Sequence, residues 1–277
     1  MNTIGQLSPS QTTELLAALG HTPSKKLGQN FLIDSNIVRK SLELARVSAG
    51  DTVVEVGPGL GTLTGALLER GAKVYAVELD KKLHAHLQKF FAGNPDFNLI
   101  NADAVEFPLA ALPEDAEDFK IVANLPYAIS TPWLDKILSG RLPKTMSLML
   151  QKEAAMRFCA DGGSKDFSPI SICLSEAFDV SGKHKVSAAC FHPRPSVDSV
   201  LLALERKGEP FVFKPRTKEI MRYAFSKRRK QIASIAKSAG EFAYTLEQWL
   251  ACDAALKPDT RPERIDARHW KILDSIA

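Results

Sequence analysis

From residue 51 onward, short apolar runs alternate with segments whose apolar residues recur every three to four positions. DTVVEV (51–56) gives way to GTLTGALLERG, AKVYAVEL (72–79) to DKKLHAHLQKFF, and FNLINA follows. Such runs, separated by helical segments of about ten residues, predict βαβ units and a parallel, doubly wound sheet. KIVAN (120–124) and TMSLMLQ (145–151) extend the series. The rhythm then changes: ISICLSEAFDV, KHKVSAACF and VDSVLLALERK lie close together with little helix between them, as antiparallel strands do. The expected sheet is therefore mixed. Beyond Arg206, KGEPFVFKP has the Gly and Pro content of a linker. Only helical patterns follow it: RTKEIMRYAFSK, KQIASIAKSAG, LEQWLACDAAL and ARHWKILDSIA. The pattern predicts an α/β, Rossmann-like domain over 1–206 and a small all-helical domain over 207–277.

At 277 residues the chain has room for this division into one large and one small domain. No apolar run approaches the roughly 18 residues of a membrane span, which excludes a membrane protein. The start, MNTIGQLSPSQTTELLAALGH, lacks the basic and apolar parts of a signal peptide, so a cytoplasmic location is expected. Cys159, Cys173, Cys190 and Cys252 form no CxxC pair. They read as buried thiols of a reducing compartment, and no metal is expected. Charge changes the picture more. Residues 207–277 hold 15 Lys+Arg against 9 Asp+Glu, whereas residues 1–206 hold 21 against 23. A basic tail on a nearly neutral body suggests a polyanionic partner.

VVEVGPGLGTLTGALL places Gly57, Gly59 and Gly61 between a strand and a helix, where glycine lets the backbone approach a ligand. The spacing is not the G-x-G-x-x-G of dinucleotide binders, and Pro58 removes an N–H that a phosphate cradle would use. Glu78 ends the next strand, 21 residues after Gly57, at the place where a carboxylate accepts ribose hydroxyls. A nucleoside is the expected cargo; the bland reading is a tight turn beside a solvated glutamate. Asp103, in NADAVEF, adds a carboxylate at the same end of the sheet. It suits either an adenine amine or the capping of the following turn. VANLPYAIS (122–130) then ends a strand on an amide, a proline and a tyrosine.

With the glycine loop, Glu78, Asp103 and NLPY in this order, the chain resembles the S-adenosylmethionine-dependent rRNA adenine N6,N6-dimethyltransferases. It is most similar to the KsgA/RsmA type that acts on 16S rRNA of the small subunit. The likeness runs from KKLGQNFL at residue 25 to RPERI near 261. It includes GQNFL (28–32), LQKEAAMRF (150–158), FHPRPSVDSV (191–200) and AFSKRRK (224–230). The resemblance implies a class I methyltransferase sheet and S-adenosylmethionine as cofactor. It also implies dimethylation of two adjacent adenosines in the 3′-terminal hairpin loop of 16S rRNA, with a role in small-subunit biogenesis. Asn30 and Leu32 would line the cofactor pocket from the N-terminal segment, Gly57 would face the methionine part, and Gly59 would also bind the cofactor. Glu78 would take the ribose, Asp103 the adenine, and Asn124 would link cofactor and target. Tyr127 and Phe191 are the expected walls around a flipped base. SKDFSPISI departs from the pattern, with Phe167-Ser168-Pro169 where a Tyr-Gly pair is more usual.

An adenine amine is a poor nucleophile because its lone pair is delocalised into the ring. The chemistry wants acceptors rather than a base: the Asn124 side-chain oxygen and the Leu125 carbonyl would take its two N–H bonds and aim the lone pair at the methyl. Pro126 biases Leu125 away from helix, and stacking on Tyr127 offsets part of the few kcal/mol that extruding a nucleotide costs. Lys227, Arg228, Arg229 and Lys230, in SKRRKQ, read as the start of a helix and as phosphate contacts. Lys25, Lys26 and Arg194 extend that track. His84, His86 and His184 have no convincing ligand partner, and Trp133, Trp249 and Trp270 read as core. A monomer is expected. The rival readings are an Erm-like methyltransferase of 23S rRNA, a non-catalytic ribosome-assembly or RNA-binding factor and, disfavoured by the glycine spacing, a nicotinamide-dependent oxidoreductase.

Overall fold

A computed structural model describes residues 7–24 and 27–277. Lys25 and Lys26 lie outside the described residues. In chain order the elements begin with α1 (Pro9–Ala18), β1 (Phe31–Leu32), α2 (Ser35–Leu44), β2 (Thr52–Val56), α3 (Thr62–Glu69), β3 (Lys73–Glu78) and α4 (Lys81–Phe90). β4 (Phe97–Asn101), β5 (Lys120–Asn124), α5 (Ser130–Ile137), β6 (Thr145–Gln151), α6 (Lys152–Phe158), α7 (Pro169–Ala177), β7 (Phe178–Val186), β8 (Phe191–His192) and β9 (Ser199–Arg206) follow. The chain closes with α8 (Pro215–Ser226), α9 (Ile232–Lys237), α10 (Ala243–Cys252) and α11 (Ala267–Ile276).

The main sheet has seven strands in the order β4-β3-β2-β5-β6-β9-β7. β4, β3, β2, β5 and β6 run parallel, and β9 joins β6 antiparallel with Leu148 opposite Leu202. This is the mixed α/β sheet that the alternation predicts. β2, β5 and β6 are central, and their apolar residues are buried on both faces, so they read as continuous runs rather than alternating ones. The chain winds outward from β2 through β3 to β4, then returns to start β5 on the other side of β2. The crevice between the carboxyl ends of β2 and β5 is thus the topological switch point, where open α/β sheets bind ligands.

One segment differs from expectation. ISICLSEA is α7, and the strand begins only at Phe178. Ser168 is its N-cap, in a reciprocal box with Ser171, and Pro169 takes the first helical turn, where a missing N–H costs nothing. The unusual Phe167-Ser168-Pro169 therefore builds a helix start. α1 has the same device, since Ser8 accepts from the Gln11 N–H and Gln11 reaches back to the Ser8 N–H.

Compactness divides the described chain into two units. One comprises residues up to Ile137 with Leu142–Ala155 and Asp179–Arg206; the other comprises Leu138–Arg141, Met156–Phe178 and Lys207–Ala277. Residues 156–178, inside the segment expected for the first domain, thus belong with the C-terminal helices. In that unit Trp249 and Trp270 are fully buried against each other, ring centroids 4.9 Å apart. His269 and Asp253 form a buried pair at 2.6 Å between α11 and the end of α10. In the other unit, Trp133 is fully buried and donates its indole N–H to the Pro108 carbonyl. All four cysteines are free thiols, and Cys252 is exposed at the end of α10 rather than buried. Among the described residues no helix is long and apolar enough to cross a membrane.

Candidate functional site

The glycine loop leaves β2 with Gly57, Gly59 and Gly61 all at positive φ, 66°, 61° and 88°. A Cβ on Gly59 would stand 3.0 Å from the Phe31 ring, so space and backbone conformation both demand glycine there. Glu78, at the end of β3, holds the loop down. Its buried carboxylate accepts the Gly59 N–H at 3.1 Å through one oxygen and the Asp80 N–H at 2.9 Å through the other. Burial raises the Glu78 pKa, and those two N–H donors oppose the rise. Each oxygen keeps further lone pairs for hydroxyls. Asp103 caps its own turn by accepting the Val105 N–H at 2.8 Å, and the residue also borders the same cavity. Both sequence readings of Asp103 are compatible.

Across the crevice, β5 ends at Asn124. Its side-chain N–H donates to the Asn30 carbonyl at 3.0 Å, and the Asn30 amide donates to the Gly28 carbonyl at 3.1 Å. Gly28 has φ 64°, and a Cβ on it would lie 3.3 Å from the Tyr127 nitrogen, so the GQNFL and NLPY backbones meet where glycine permits it. With the donor half of the Asn124 amide committed, the oxygen remains as an acceptor. The Leu125 side chain is buried, which anchors the turn from the core side. Tyr127 begins a short 3-10 turn and its hydroxyl pairs with Ser199 Oγ at 2.8 Å. Burial pushes the Tyr127 pKa up, and the Ser199 hydrogen bond opposes the shift.

These parts line one cavity, open to solvent, whose free space, including the part continuous with solvent, is about 1070 Å³. Asn30, Leu32, Gly57, Gly59, Glu78, Asp103, Asn124, Leu125 and Tyr127 all border it. Phe191 does not. Its ring is 2% exposed and sits in the hydrophobic core with Leu32, whose strand β1 pairs with β8.

The expected phosphate contacts also divide. Arg194, Arg229 and Lys230 are exposed. Arg228 is engaged: it pairs with Glu263 at 2.9 Å and donates to the carbonyls of Lys165 and Ser164. Lys227 lies 4.1 Å from the Tyr223 ring centre and donates to that hydroxyl. These cations do not start a helix. They occupy the turn after α8, where positive charge suits a helix C-terminus.

Four residues of the cavity network escaped the sequence reading. Glu55, inside β2, is almost fully buried, accepts the Thr64 hydroxyl at 2.7 Å, and is pushed up to about 8 by desolvation. A charged residue inside an otherwise apolar strand was the available signal. Leu79 follows Glu78, is half exposed, and offers an apolar wall. Gln29 and Ser199 act through partners distant in sequence, and no local pattern marks them.

The arrangement joins a buried carboxylate and a glycine loop, fit for a nucleoside, to a fixed amide oxygen and an aromatic ring, fit for a second planar ligand. A family model for ribosomal RNA adenine dimethylase matches residues 20–250. The chain is 57% identical over 272 residues to the ribosomal RNA small subunit methyltransferase A of Opitutus terrae, covering 96% of this chain and 98% of that one. Among solved structures it is similar to a dimethyladenosine transferase from Plasmodium falciparum, with TM-score 0.70 and 26% identity, over 88% of this chain and 95% of that one. It is also similar to the 23S rRNA methyltransferase ErmE, with TM-score 0.63 and 26% identity, over 89% and 98% of the two chains.

Proposed function

Because the chain belongs to the ribosomal RNA adenine dimethylase family, we propose that its switch-point cavity brings S-adenosylmethionine against an extruded adenine of 16S rRNA. The enzyme is an S-adenosylmethionine-dependent rRNA adenine N6,N6-dimethyltransferase. Its target in our reading is the pair of adjacent adenosines in the 3′-terminal hairpin loop of small-subunit rRNA, methylated during subunit biogenesis. The name carried by the Opitutus terrae relative supports the small subunit over the large one.

The cavity residues fit the cofactor. Gly57 and Gly59 allow close approach of the backbone, Asn30 and Leu32 close the side formed by the N-terminal segment, Glu78 offers acceptors to ribose hydroxyls, and Asp103 offers one to an amine. Bound there, S-adenosylmethionine supplies an electrophilic methyl group on a positively charged sulfur.

The observation that carries the reading is the Asn124 amide, fixed by the Asn30 carbonyl at 3.0 Å. Its oxygen and the Leu125 carbonyl accept the two N–H bonds of the target amine, so the nitrogen lone pair turns out of the ring plane. Tyr127 stacks on the base. The nitrogen becomes strongly acidic on methylation and loses its proton to solvent, so no side chain acts as an essential general base. Rate comes from holding the amine and the methyl in line, which supplies up to roughly 7–11 kcal/mol. A second transfer needs only one of the two acceptors, since the monomethylated amine keeps one N–H.

The exposed Arg229 and Lys230, within the basic residues 207–277, and Arg194 support phosphate contacts. In our reading those C-terminal helices bind RNA and the sheet domain catalyses. In our reading the protein acts as a monomer, and a cytoplasmic location accompanies a ribosomal target. Labelled methyl transfer to isolated small and large subunits from a strain lacking this gene tests the reading. Incorporation into small subunits as dimethyladenosine, lost in Asn124→Ala, is expected. Label confined to large subunits, or full activity in Asn124→Ala, would overturn it.

A further inference from the structure

We propose that Gln29 is a positioning residue: it latches the segment around His21 to the first turn of α4, and so presents Glu78 and the glycine loop to the cofactor. The inference rests on the cavity being the S-adenosylmethionine site. Gln29 borders that cavity, and its side-chain oxygen and one amide N–H are engaged by protein groups. Its side-chain oxygen accepts the Ser24 N–H at 2.7 Å and faces His21 Nε2 at 3.1 Å, while its amide N–H donates to Asp80 Oδ2 at 3.2 Å.

The amide orientation is determined from both sides. A backbone N–H can only donate, and an ionised carboxylate can only accept. His21 Nε2 must then be the donor to Gln29, while its Nδ1 stands 3.6 Å from Asp80 Oδ2. Four groups, two from the N-terminal segment and two from α4, therefore meet at one carboxylate. The Asp80 pKa is lowered: burial acts to raise it, but the Leu83 N–H, Gln29, His21 and the Lys82 N–H outweigh that effect.

Asp80 passes the constraint on. Its other oxygen caps α4 through the Lys82 and Leu83 N–H groups, and its own N–H donates to Glu78, whose second oxygen holds Gly59. Around this polar centre the segment is tied down twice more. The Lys82 ammonium donates to the Gly20 carbonyl, and Leu16 of α1 packs with Phe31, Leu60 of the glycine loop and Leu83 of α4. The chain of contacts runs from Ser24 to Gly59 without a gap. Since the α4 cap uses the Asp80 oxygen that Gln29 does not touch, removing the latch leaves the helix capped. The loss falls on alignment at the cavity.

Calorimetric titration of the full-length protein with S-adenosylmethionine tests this, with melting of the ligand-free protein and steady-state kinetics alongside. Gln29→Ala is expected to weaken cofactor binding about tenfold. The ligand-free melting temperature, and kcat at saturating cofactor, should stay near wild type. Gln29→Glu, which sets a carboxylate against Asp80, should bind more weakly still. His21→Ala should weaken binding as well, and the double variant His21→Ala with Gln29→Ala should be no worse than Gln29→Ala alone, because one latch is broken once. Wild-type affinity in Gln29→Glu, fully additive losses in the double variant, or a fall in kcat with unchanged cofactor affinity would overturn the proposal. If Gln29→Ala does not fold, His21→Ala and Gln29→Glu decide it. Failure of the wild-type protein to bind S-adenosylmethionine would instead overturn the reading of the cavity.

Discussion

The hydroxyl of Tyr127 lies 2.8 Å from Oγ of Ser199, at the start of β9 and buried to 1% exposure. A tyrosine that stacks on a base must hold its ring plane while water is displaced, and this hydrogen bond fixes the far end of the ring. Ser199→Ala removes a bond worth about 0.5–1.5 kcal/mol. The expected result is a loss of roughly two- to tenfold in kcat/KM for RNA with cofactor affinity unchanged. Tyr127→Phe should match it, the pair together should lose no more than either alone, and Tyr127→Ala should lose about 1–3 kcal/mol of stacking. Additive losses from Ser199→Ala and Tyr127→Phe would show that the bond does not position the ring.

Gly59 permits a test of the cofactor side. Alanine there must adopt φ near 61° and push its Cβ to 3.0 Å from the Phe31 ring. The backbone conformation alone costs about 1–2 kcal/mol, and shifting Phe31 disturbs the GQNFL segment. Gly59→Ala should weaken S-adenosylmethionine binding by more than tenfold and lower the melting temperature together. Gly93, at φ 78° with nothing within 4 Å of the place a Cβ would take, gives the control: Gly93→Ala should lower stability slightly and leave binding intact.

The parallel strands were legible because β2, β3, β5 and β6 are buried apolar runs that end beside turn residues, and the switch point then places Gly57, Glu78, Asp103 and Asn124 together. α7 was not legible as a helix. Ile170, Ser171, Ile172, Cys173, Leu174 and Ala177 are all buried, so no polar stripe marks a 3.6-residue period. Its start was written in Ser168-Pro169, and that of α1 in Ser8-Pro9-Ser10-Gln11. What the sequence hid is long-range pairing. Gln29 meets Asp80 across 51 positions and Tyr127 meets Ser199 across 72, distances at which local periodicity carries no information. Phe191 shows the converse, a motif residue whose side chain the core takes up.

The four cations after α8 should separate into two kinds. Arg228 holds Glu263 and two carbonyls, so Arg228→Ala removes charge-assisted bonds worth about 1.5–3 kcal/mol each at most and should lower the melting temperature. Arg229→Ala with Lys230→Ala touches only exposed side chains. Stability should not change, while the slope of log affinity for RNA against log salt should become shallower by roughly 0.7–0.9 per cation. Filter binding over a salt series, with melting curves on the same preparations, checks both. An unchanged slope in the double variant would place the phosphate track elsewhere.

Glu55 makes the stability of the ligand-free protein depend on pH in an identifiable direction. Its carboxyl is pushed from 4.5 up to about 8, first by desolvation and then by the nearby Glu78, against the Thr64 hydrogen bond. Between those values the folded chain keeps a proton that the unfolded chain releases, so unfolding stability from this group falls as pH rises through the window. The slope approaches about 1.4 kcal/mol per pH unit and flattens above the folded value. Glu55→Gln keeps an acceptor for Thr64 and has no proton to lose. The variant should match wild type near pH 5 and melt several degrees higher at pH 8, on the usual scale of about 2–4 °C per kcal/mol for a chain of roughly this size. Melting curves of both proteins across pH 5–9 give the comparison; parallel curves would mean that Glu55 is ionised in the fold and that its carboxylate is compensated by a partner other than Thr64.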